Sequence, residues 1–401
     1  MKMTFAGFSL FIVLLFNILS CSKTENTEIE HEKEELTDGI RIAWDYATLK
    51  RVAPLPGRSP GYYGYARMIQ LHDGRLACVY ETSEGNVELT VSTDMGKSWK
   101  WPKTIFQTVN NITMAVPSIL ELNDQSLLVA CNPRPREPYT DDRKFGIKVR
   151  KSIDGGATWM PEQTVYEAQS TFNDGCWEPA MVQLSGGEVQ LYFSNEGIYT
   201  RSNEQDISLL RSFDLGETWT TEPEVAGFRK SRRDGMPVPL LLADRGELLI
   251  SIEDNKAGEF KPSIYREKIS DNWSGGFIGA DDPRRTYHPL SDPLPLDIYA
   301  GGPYLARLHS GEVLLSYQTT LDRNKVWNYS SMAVEIGDSE GRLYSRRSVP
   351  FSMPVSKWGL WNSLAVIGDD VPVAITSTNA FSANSTEVWM ITGRIIPEFP
   401  I

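Results

Sequence analysis

Two glutamates stand in settings where a carboxyl group can do chemistry. Glu178 lies in Gly175-Cys176-Trp177-Glu178-Pro179, between a large aromatic and a proline that fixes the backbone at a strand start. Glu253 closes the apolar run 248–252 and is followed by Asp254. A charge at the end of an apolar strand is costly to bury unless it is paired or used. One protonated and one ionised carboxyl group would serve acid-assisted cleavage of a glycosidic bond, the first protonating the leaving oxygen, the second acting as nucleophile or base. Trp177 should dry the surroundings of Glu178, raise its pKa and suit it to the acid role. Arg67 or Arg233 would keep a partner carboxylate ionised. Glu81 and Glu196 stand in reserve, with Asp174 and Asp234 behind them. Tyr62, Tyr63, Tyr65, Trp177, Tyr299, Trp327, Tyr329, Trp358 and Trp361 offer flat faces for sugar rings.

Composition narrows the field. The 401 residues carry 52 acidic and 40 basic side chains, a net charge of −12, which argues against a nucleic-acid partner. Four cysteines and four histidines are scattered without a C-x-x-C or H-x-x-x-H pair, so no metal site and no cofactor is expected. Hydrophobic residues at 41%, with 31 Gly and 24 Pro, describe a globular chain rich in turns. Cys78, Cys131 and Cys176 sit in apolar surroundings and read as buried thiols.

The elements that must position the glutamates are written as repeats. Ser92-Thr-Asp94-Met-Gly96-Lys-Ser98-Trp99 recurs as Ser152 to Trp159 and as Ser212 to Trp219, with aspartates at 94, 154 and 214. Ser270-Asp271-Asn272-Trp273 is a degraded fourth copy. In S-x-D-x-G-x-[ST]-W the Asp accepts hydrogen bonds from turn N–H groups, Gly supplies positive φ, and Trp pins the turn to a sheet. A second pattern, strand–turn–strand, begins at Arg67, Pro117, Pro179, Pro237, Pro303 and Asn362. Six units at a period near 60 predict an all-β fold, a six-bladed β-propeller over residues 39–401, rather than separate sandwiches. The boxes are third turns and fall on one face. The starts of first strands (Ala66, Val116, Glu178, Met236, Gly302, Trp361) and the ends of second strands (Glu81, Asn132, Glu196, Glu253, Gln318) fall on the other, around an axial mouth.

Residues 1–20 read as an export signal: Lys2, an apolar run, then Ser20-Cys21. The small-residue–Cys ending resembles a bacterial lipoprotein signal, which implies a lipid on Cys21 and a membrane partner through it. Residues 21–38, rich in Glu, read as a solvated tether. Such a tether resembles those of surface-exported lipoproteins and implies the bacterial outer membrane.

The boxes and the Tyr65-Ala66-Arg67-Met68-Ile69 opening resemble the sialidase superfamily across residues 40–397. Arg67 resembles the first of that family's substrate-binding arginines, and Arg233 is a candidate second. Where the family's tyrosine nucleophile belongs, the chain reads Leu360-Trp361-Asn362, and tryptophan cannot attack an anomeric carbon. Trp177-Glu178-Pro179, Ser251-Ile-Glu253-Asp254 and Gly301-Gly-Pro303-Tyr304 look more like the exo-arabinanases of the same superfamily. That resemblance implies a retaining exo-glycosidase releasing arabinose units, with Glu178 and Glu253 catalytic. Substrate contacts are expected from Arg67, Trp177, Arg233, Asp254, Tyr299, Gln318 and Trp361, and the partner is an oligosaccharide or polysaccharide. An exo-sialidase and a non-catalytic glycan-binding propeller are the alternatives.

Overall fold

The computed structural model describes residues 39–397 apart from residue 257. The leader, Cys21 and the tether lie outside the described residues. Six antiparallel sheets of four strands are arranged around one axis. Their innermost strands are Tyr63–Gln70, Ile112–Glu121, Cys176–Gln183, Asp234–Leu242, Ala300–Arg307 and Gly359–Ile367, each touching the next in a closed ring. In five blades the strands follow chain order. The sixth is completed from the other end of the described chain: Ile40–Ala53 pairs antiparallel with Glu387–Pro397, Ile42 opposite Ile395. Counting hairpins predicts the number of blades but gives no sign of this closure.

Apolar side chains collect in six clusters, each between two adjacent blades, and in a smaller seventh of Tyr65, Ala115, Val116 and Met236 at the starts of innermost strands. Central strands such as Leu76–Thr82 are therefore buried along their whole length and read as continuous rather than alternating apolar runs. The box tryptophans belong to these seams. Trp99 packs with Val373 and Met390 of the sixth blade, and Trp159 and Trp219 pack against the seam before their own blades. Trp273 does the same between the third and fourth blades and donates its indole N–H to the Tyr192 hydroxyl at 3.0 Å. The degraded fourth copy has thus kept its fastening residue. Removing such a tryptophan would cost about 3–5 kcal/mol. Cys78, Cys131 and Cys176 are free and buried in the same seams.

Register fixes the two faces. Ser212, which opens the third box, lies opposite Val189 at the start of its blade's second strand. Trp177 lies opposite Ser194, near that strand's end. The boxes and Glu178 are therefore at opposite ends of the propeller.

Candidate active site

Every innermost strand carries a bulge near its start, where two residues face one on the second strand. The first bulge residue is left-handed in every blade: Tyr65, Val116, Glu178, Met236, Gly302 and Trp361 have φ between +48° and +56°. For the five that are not glycine this strain costs on the order of 1–3 kcal/mol each. The sequence reading took Ala66 as the first-blade member, and the structure corrects this to Tyr65. Ala66 occupies the place where four other blades have proline, so alignment on the following Arg67 slipped by one.

A ring of hydrogen bonds between neighbouring blades compensates the strain. Glu81 accepts from the backbone N–H of Val116 (2.7 Å), Ser194 from Met236 (2.9 Å), Glu253 from Gly302 (2.9 Å), Gln318 from Trp361 (2.8 Å) and Ser377 from Tyr65 (3.0 Å). The second blade departs from the pattern. Its Asn132 accepts from the Arg134 guanidinium at 2.6 Å and donates to the Gly146 carbonyl at 2.8 Å.

Above this ring opens an axial cavity of about 480 Å³. Glu178 and Glu253, from adjacent blades, both line it, with Arg134 and Arg233, Glu81 and Glu196, and the rings of Tyr62, Tyr65, Phe172, Trp177, Phe260 and Trp361. Burial pushes the Glu253 carboxyl up to about 7; the Glu178 charge adds to this, and the Gly302 N–H and Arg233 oppose it. Glu178 is also raised by burial, but Arg134 and the Ser194 hydroxyl pull it back. Arg134 lies 3.9 Å from the Glu178 carboxylate and its guanidinium sits over Trp177, 4.9 Å from the ring centroid. The expected dry setting beside Trp177 is therefore covered by a cation. Of the two glutamates, Glu253 is raised to about 7, while Arg134 opposes the rise at Glu178.

The other expected site residues separate into those on the wall and those behind it. Trp177 donates its indole N–H to Glu196 (2.7 Å), and Arg233 grips the same carboxylate with two N–H groups (2.8 and 2.7 Å). Glu196 is thereby fully engaged. Glu81 also takes the Tyr62 hydroxyl (2.8 Å). Trp361 is on the wall, stacked on Tyr65 at 4.6 Å. Tyr299 is buried behind Glu253: a Cβ on Gly301 would collide with both groups, so only glycine lets them approach.

Four expectations are corrected. Asp254 points away from the axis, because successive strand residues alternate; it meets Arg229 at 3.6 Å and borders a separate cleft of about 240 Å³. Gln318 is fully buried, its amide N–H on Tyr299 and its oxygen on Trp361, so it supports the wall and cannot touch a sugar. Arg67 is buried beneath the mouth, over Tyr304 (5.1 Å) and bonded to the Ala66 and Trp361 carbonyls. Tyr63 belongs to the seam between the first and sixth blades. Of the remote reserves, Asp234 is locked between Arg229 and Arg285, and Asp174 takes the Thr171 hydroxyl of its own turn.

Arg134, Phe172 and Phe260 were not foreseen. Arg134 had a readable signal, since it lies two residues beyond Asn132 and so shares its face. The two phenylalanines come from loops, where no periodicity marks direction. Among the described residues no group of His, Cys, Asp and Glu could hold a metal ion.

No protein-family model and no curated protein matches the sequence. Solved structures are similar in fold. A Fusarium graminearum α-L-arabinofuranosidase bound to arabinobiose shares 17% identity at a TM-score of 0.61, covering 86% of this chain and 98% of that one. A Penicillium chrysogenum α-L-arabinanase, also with arabinobiose, shares 18% at 0.60, covering 82% and 92%. The sialidase of Trypanosoma rangeli shares 10% at 0.57, covering 89% of this chain and 60% of that one. The resemblance to sialidases and arabinanases holds at the level of the six-bladed propeller.

Proposed function

We propose that this chain is a retaining exo-glycosidase acting on a neutral sugar at the end of a glycan, with arabinose units as the first candidate. Glu253 is the general acid, and Glu178 the nucleophilic carboxylate. The observation that carries this is the pair itself: two half-buried carboxyl groups on adjacent blades share one cavity, Glu178 with the Arg134 guanidinium 3.9 Å away and Glu253 with a single backbone N–H. Glu253 accepts the Gly302 N–H on one oxygen, which leaves the other for the proton that the departing oxygen takes. Arg134 favours the ionised form of Glu178, as a nucleophile requires. Similar structures were solved with arabinobiose bound, which supports the choice of sugar.

Electrostatics weigh against a sialidase. The wall holds four glutamates against two arginines, and both arginines already have carboxylate partners. An anionic sugar would meet repulsion without a free guanidinium to offset it. The test is sugar release from linear arabino-oligosaccharides and from sialyllactose, with the anomer first formed read by proton NMR. Release of arabinose units with retention supports the reading. Release of sialic acid would install the sialidase instead, and binding without release from either would make the protein a glycan-binding module.

Anchoring in the bacterial envelope through a lipid on Cys21 is part of the same proposal, supported by the Ser20-Cys21 ending of the apolar run. Cys21→Ala should move the protein from the membrane to the soluble fraction; unchanged fractionation removes the anchor.

A further inference from the structure

On the Glu253 side, the aromatic rings continue past the cavity wall. Trp327 lies 5.9 Å from Trp361 and 6.3 Å from Tyr299, which in turn is 6.5 Å from Phe260. Trp327 is the outermost of these and is 46% exposed. It stands on the single turn Trp327–Tyr329, between the second and third strands of the fifth blade, on the mouth face.

The turn is fastened without burying the indole. The Arg323 guanidinium donates to four backbone carbonyls: Tyr329 (2.7 Å), Met353 (3.3 Å), Pro354 (2.9 Å) and Lys357 (2.5 Å). No carboxylate takes part in this, although burial works against its charge. Ser330 closes the turn onto the Trp327 carbonyl (2.6 Å), and its own carbonyl accepts the Gly359 N–H of the sixth blade (2.9 Å). A half-covered cation thus fixes a loop whose tip is a solvent-facing indole, continuous with the cavity.

A general acid must reach the leaving oxygen, so the departing part of a glycan lies on the acid's side. Phe260 on the wall and Tyr299 behind it mark that side, and Trp327 lies beyond them. We infer that Trp327 is the platform of a leaving-group subsite, taking a sugar ring of a neutral linear oligosaccharide beyond the bond that is cut. This rests on the assignment of Glu253 as the acid. Indole stacking uses the sugar's C–H face and reads no charge, which suits a neutral chain.

Binding reads the subsite independently of turnover. Calorimetric titration of the Glu253→Gln protein with linear arabino-oligosaccharides of two to five units should show affinity rising with length. Adding Trp327→Ala should remove that rise, with a loss of about 3- to 10-fold for the longest chain and little for the shortest. Trp327→Phe should restore part of it, and Arg323→Met, which frees the loop, should reproduce the loss. Absence of length dependence in the parent, or an equal loss at every length, overturns the platform. Failure of the catalytic reading looks different: the protein with both glutamates intact would release no sugar, while the Trp327-dependent length effect would persist and support the platform.

Discussion

Carboxylates stand at both ends of the propeller, and the fold treats them in opposite ways. At the box end, Asp94 accepts from the Ser92 and Ser98 hydroxyls and from the Ser98 N–H, and Asp154 has the equivalent partners. These bonds hold both carboxyls down to about 2, although both face solvent. At the mouth, Glu253 accepts one backbone N–H, is half-buried, and rises to about 7. The same functional group is structural where its own turn fills its lone pairs, and available for chemistry where burial leaves one of them open.

The strongest test of the contrast is turnover. Glu253→Gln should lower it by about 10²–10⁴-fold, and Glu178→Gln by at least as much, since a missing nucleophile is not replaced by water at the same position. Asp214→Asn, at the box end, should leave turnover within about 2-fold. Kinetics on an aryl arabinofuranoside decide it; full activity in Glu253→Gln would erase the distinction between the two ends.

A smaller effect concerns pH. Under the proposed mechanism cleavage needs Glu253 protonated and Glu178 ionised, so kcat/KM should be bell-shaped. The alkaline limb should fall about tenfold per pH unit above roughly 7, as Glu253 loses its proton. Arg134→Met should move the acidic limb upward, because the cation favours ionised Glu178, and leave the alkaline limb in place. A shift of the alkaline limb instead would reverse the two roles.

Stability should respond with opposite signs. Burial raises the Glu253 pKa above its unfolded value, so its contribution is complete below about pH 4 and is lost as pH rises through about 7. Glu253→Gln should therefore stabilise the protein at pH 8.5, on the order of 1–3 kcal/mol, and do little at pH 4. Thermal unfolding at the two values measures this; destabilisation at high pH would mean that the Gly302 contact outweighs the charge. The smallest expected effect is at the boxes, whose depressed pKa values give stability present above about pH 4 and lost as pH falls toward about 2. Asp154→Ala should lower the melting temperature at neutral pH and have a much smaller effect near pH 2.

What could be read from the sequence follows from which physics is local. The box chemistry is contained within eight residues, so its turns, their common face and even the altered copy at Trp273 were legible. Glu178 and Glu253 were legible as mouth residues because a carboxylate between Trp177 and Pro179 at a strand start, and one closing an apolar run, are each local signals. Asp254 was misjudged by neglecting alternation, and Gln318 because its position matched Glu253 while its partners, Tyr299 and Trp361, come from outside its strand. The cation over Trp177 was beyond reach, since it depends on Arg134 crossing from the second blade to the third.

The closing strand has a consequence in time. Ile40–Ala53 is synthesised ahead of every other described strand, yet its partner Glu387–Pro397 comes last. At about 5–20 residues per second, it waits roughly 20–70 s with both edges unpaired. Arg41, Asp45, Lys50 and Arg51 along it discourage pairing with another chain during that interval. Every residue lining the axial cavity lies upstream of residue 362. A ribosome that stalls short of Glu387 would therefore leave a chain with every cavity-lining side chain present and no closed ring to hold them at the mouth.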